Sequence, residues 1–183
     1  MTPSKKKSFI QSLTADERSQ VLMAMLANEP ALVKKAYDIA MELVGDANED
    51  EISDDVYSEL NSLDIDELYS SSGRTRHGYV DPTDRAWEMF GEALYPFITE
   101  MTLNQQRSLP SVAKMHCIGI IKGLLRYKES NSSEVSDWVP DAPDESIITV
   151  VEEWKKSNPS DDDIAEVMNI VEDSSYAKWH LCK

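Results

Sequence analysis

Apolar residues recur along this chain at spacings of three and four, the period of a helix buried on one face. Val21, Leu22, Met25 and Leu26 form the first such stripe. Thr14 and Glu17 precede it in a capping-box arrangement, which satisfies two of the N–H groups a helix start leaves free. Asn28-Glu29-Pro30 breaks this helix, because proline disfavours a helical residue before it and tolerates the first turn after it. Leu32, Val33, Ala36, Ile39, Ala40 and Leu43 then mark one face of a second helix, stopped at Gly45. Two helices so closely joined predict an antiparallel hairpin.

Beyond a dense acidic link, Ile52, Val56 and Leu60 carry a third helix, starting near Glu49 or Asp54 and ending at Leu63. Asp64 with Glu67 makes a second capping box for a short fourth helix, which Gly73 ends. The stretch from Gly73 to Val80 reads as a loop. Asp81-Pro82 then starts a fifth helix, with Asp as cap and Pro in the first turn. Its stripe is Trp87, Phe90, Leu94, Phe97, Ile98 and Met101, and Pro96 within it predicts a kink or break. Residues 129–142 read as loop, with a single turn at Glu134–Trp138. Pro143 opens a helix with Ile147, Val150, Val151 and Trp154, and Ser160 caps another with Ile164, Val167, Met168 and Val171. Asp161, Asp162 and Asp163 favour the positive end of that last helix.

One segment differs from the rest. From Ser111 to Tyr127 the apolar residues almost encircle the helix, while Lys114, Lys122 and Arg126 fit within about 120° of one side. A helix apolar nearly all round lies inside a fold, so residues 109–128 are expected to be the centre against which the hairpins pack. Gly119 and Gly123 lie one turn apart within it, and each costs roughly 1 kcal/mol relative to Ala. They predict a flat strip where another helix approaches closely. No segment alternates with period two for long. The expectation is an all-α fold of seven or eight helices, possible in a HEAT-like repeat form. Residues 1–12 read as a flexible leader, 13–173 as a single helical domain and 174–183 as a tail.

Charge narrows the partners. The chain has 183 residues, 18 Lys and Arg, 34 Asp and Glu, and a net charge of −16. Such a balance repels nucleic-acid phosphates and anionic membranes. No apolar run reaches the ~18 residues of a membrane span. Two cysteines without a signal peptide point to a reduced, cytoplasmic protein rather than a disulfide framework.

Candidate chemistry is sparse. Asp46, Asn48 and Asp50 occupy the first, third and fifth positions of a calcium loop, but Glu51 and Tyr57 stand where Gly and a bidentate Glu are needed. His116 with Cys117, and His180 with Cys182, lack the paired spacing of a zinc site. No nucleophile elbow, P-loop or H-E-x-x-H occurs. No catalytic residue, metal or cofactor is therefore assigned. The distinctive feature is a basic island, Arg74, Arg76, His77 and Tyr79, with Arg85 one turn into the next helix. Guanidinium forks suit carboxylates or phosphates, so these five are the candidate anion-binding residues. The same arginines could instead dock onto the protein's own carboxylates, and that structural role is the favoured one.

The run LDIDELYSSSGRTRHGYVDPTDRAWEMFGEALYPF, with DWVPDAP further on, resembles a segment of uncharacterised prokaryotic helical proteins. Some of that group carry a SWIM-type zinc finger elsewhere, whose C-x-C and C-x-H pattern is absent here. The likeness covers residues 60–155 and implies an all-helical accessory or interaction domain, with no reaction attached. The first functional expectation is therefore a non-catalytic module that binds another protein. The alternative is an anion or phosphoryl small-molecule binder, or an enzyme, using the Arg74–Tyr79 loop.

Overall fold

The computed structural model describes residues 2–75, 78–130, 133–172 and 180–181. Among them nine α-helices account for nearly all regular structure. The chain divides into two compact units, residues 1–46 and 47–183. The division falls at the Gly45 stop signal and the acidic link after it, well inside the stretch expected to form one domain.

The first unit contains α1 (Pro3–Ser12), α2 (Ala15–Asn28) and α3 (Pro30–Val44). Residues read from sequence as a frayed leader thus form a helix, with Pro3 in its first turn. The Thr14 capping box starts α2: Thr14 Oγ1 accepts from the Glu17 N–H at 3.3 Å, and the Thr14 N–H donates to Glu17 Oε2 at 2.9 Å. Glu29 separates α2 from α3, and the two pack together as a hairpin. No residue of these three helices is fully buried.

The second unit contains α4 (Glu49–Asn61), α5 (Ile65–Ser71), β1 (Gly73–Thr75), β2 (Gly78–Val80), α6 (Pro82–Gln106), α7 (Pro110–Ser130), a 3-10 turn (Glu134–Trp138), α8 (Ala142–Lys155) and α9 (Asp161–Val171). Caps set most of these starts. Asn48 Oδ1 accepts from the Asp50 and Glu51 N–H groups, Asp81 Oδ1 from Thr83, and Ser160 Oγ from Asp163. Asp64 likewise caps α5 through the Asp66 N–H. Its expected capping-box partner, Glu67, lies instead 3.7 Å from the Arg85 guanidinium.

The central helix is α7, which touches α4, α6, α8 and α9. Ile118, Ile120, Ile121 and Leu124 are at most 1% exposed. Gly119 and Gly123 mark where α4 comes closest. A Cβ on Gly119 would stand 2.7 Å from Ile52 Cβ and 2.8 Å from the Glu49 carbonyl oxygen. One on Gly123 would stand 2.7 Å from Val56 Cβ and 2.9 Å from the Ser53 oxygen. These contacts advance together along both chains, so α4 and α7 run parallel. Phe90 of α6 meets Tyr127 of α7 edge to face at 5.7 Å. Gln105 Nε2 donates to the Trp154 carbonyl at 2.9 Å, tying α6 to the end of α8, where the Ser157 hydroxyl also donates to that oxygen.

Pro96 does not break its helix: α6 continues from Pro82 to Gln106. The proline is exposed, as is Glu92, whose carbonyl loses a partner. Water can satisfy that oxygen, while Ala93, Leu94 and Met101 hold both halves of α6 against the core. Of the expected kink or break, the break does not occur.

Candidate functional site

Gly73 leaves α5 with φ +81°, a left-handed value that disfavours any side chain, and Gly78 has φ +135°. Between them the expected loop is a short antiparallel ribbon that sets Arg74 opposite Tyr79. Both side chains stand in solvent, Tyr79 at 71% exposure. Arg74 makes no ion pair among the described residues. Arg76 and His77 lie outside the described residues.

Arg85 is placed differently. It sits in the first turn of α6 with its side chain 17% exposed, 3.2 Å from Glu88, 3.5 Å from Glu92 and 3.7 Å from Glu67. Its Nε also donates to Ser71 Oγ at 3.1 Å. Desolvation opposes its charge, but Glu88 and Glu92 outweigh that effect and hold the pKa above its ordinary value. Arg85 therefore joins α5 to α6 with its donors already engaged. Of the three candidate anion-binding residues among the described residues, Arg74 and Tyr79 are side by side and open.

Three basic residues of α7 are engaged with facing acids as well. Lys114 of α7 bonds Asp163 and Glu166 of α9, both at 2.7 Å. Lys122 reaches Glu49 at 2.7 Å and Asp50 at 3.1 Å, while Arg126 pairs with Asp54 and lies 4.1 Å above the Tyr57 ring. The acidic link thus helps to seat α4 on α7. Its Asn48 side chain is occupied in capping α4 rather than pointing at a cation.

His116 and Cys117 leave α7 in different surroundings. Cys117 is fully buried, and desolvation pushes its thiol up to about 12, so no reactive thiolate forms near neutrality. His116 is half-buried, and its Nδ1 has no hydrogen-bond partner among the described residues. Desolvation lowers its pKa, against a smaller upward pull from Glu100. Among the described residues no group of three His, Cys, Asp or Glu side chains is disposed to hold a metal ion. No helix there is long and apolar enough to cross a membrane.

The α2–α3 hairpin offers a surface of another kind. Leu22, Met25 and Leu26 of α2 face Leu32, Ala36 and Ile39 of α3 across an open groove of about 220 Å³, with Lys35 at its rim. On the same two helices Met23 is 63% exposed, Tyr37 62%, Leu43 77% and Val33 48%. Residues 1–46 carry six basic and six acidic side chains, so the whole net charge of −16 resides in residues 47–183. Sequence reasoning treated these stripes as core. The signal it passed over is the breadth of the α3 stripe, wider than one helical neighbour can cover.

Comparison with family models, with curated proteins and with solved structures finds no match to this chain.

Proposed function

We propose that this chain is a non-catalytic protein-interaction module whose docking element is the α2–α3 hairpin. The observation that carries the reading is the crowding of large exposed apolar side chains on a hairpin with no buried residue. Burying such a surface is worth roughly 25 cal/mol per Å², a driving force that needs no catalytic group. The core unit supports the same reading, because its charged residues on α7 and Arg85 are engaged with the protein's own carboxylates. The sequence likeness over residues 60–155 points the same way, to a prokaryotic accessory or interaction domain. The anion-binding alternative has less support, since Arg85 is committed to three glutamates and Arg74 with Tyr79 is left on a three-residue ribbon.

Photo-crosslinking in living cells tests the proposal. A benzophenone side chain placed at Tyr37, within the hairpin, should trap a protein in a discrete adduct. The same group at Tyr95, 69% exposed on α6, should trap much less. Equal or absent adducts at the two positions would refute a docking role for α2–α3.

A further inference from the structure

We draw no further inference here: the strongest candidate, the cavity of about 210 Å³ between the end of α7, the 3-10 turn and the start of α8, has Lys128 on its wall already bonded to both carboxylate oxygens of Asp144, and nothing in the structure shows what chemistry would occupy it.

Discussion

Trp154 and Leu43 are both large apolar side chains on amphipathic helices, yet one is 2% exposed and the other 77%. The difference extends over the two units they belong to. In residues 47–183 a central helix is covered on several sides, its glycines admit α4, and its lysines are matched by facing acids. In residues 1–46 the capping box of α2 is as complete, but no residue of the three helices is fully buried. Capping and amphipathicity are local properties and are present in both. Burial requires a neighbour, and only the second unit contains enough of them. A unit this small buries a lower share of its surface than a larger one, and helices of this length are marginal without packing.

Truncation of a buried anchor should separate the units most sharply. Trp154→Ala removes a fully packed indole and should cost about 3–5 kcal/mol. At roughly 2–4 °C per kcal/mol for a domain of this size, the main thermal transition should fall by about 10 °C. Leu43→Ala should leave that transition in place. Calorimetry of both variants checks the contrast, and equal shifts would mean that the two units melt as one.

Glycine substitutions sharpen it further. Gly123→Ala gains helix propensity worth up to ~1 kcal/mol but drives a methyl into Val56 and the Ser53 carbonyl, and overpacking of that kind costs ~1–3 kcal/mol. The net effect should be a Tm several degrees lower. Gly91→Ala, on the exposed side of α6 with nothing within 4 Å of the new Cβ, should raise stability slightly. The pair measured together distinguishes a close helix contact from a generic helix glycine.

The smallest effect concerns pH. His116 of the core unit has its pKa lowered chiefly by desolvation, so the unfolded chain binds its proton more readily than the folded one. Its neutral form therefore stabilises the fold above the ordinary imidazole value of 6.5. That contribution is lost as pH falls from there toward the lowered folded value. His116→Gln should flatten this part of the stability-versus-pH curve, measured by denaturant melts between pH 7.5 and 5. An unchanged slope would show that other groups set it.

Much of the architecture was legible because it rests on short-range rules. Thr14, Asp81 and Ser160 announce helix starts through side chains that reach two or three residues onward. The Ser111–Tyr127 segment declares its central place by having no wholly polar side, and Gly119 with Gly123 declares a close neighbour. The identity of that neighbour, α4, was not legible, nor its parallel direction. Gly73 and Gly78 punctuate the chain visibly, but the ribbon depends on pairing between two three-residue strands. That α6 is not broken at Pro96 was not legible either, because the cost of its missing hydrogen bond depends on which side of α6 faces water.

The candidate site divides along the same line. The sequence by itself determined that Arg74 and Arg85 are basic residues in an acidic chain, with side chains suited to carboxylate or phosphate. Only the tertiary structure decided that Glu67, Glu88 and Glu92 converge on Arg85 while Arg74 is left open opposite Tyr79. The sequence likewise determined which residues of α2 and α3 are apolar, through a period fixed by the helix itself. Whether those residues lie beneath another element or face water is a matter of non-local packing, which no helical period encodes.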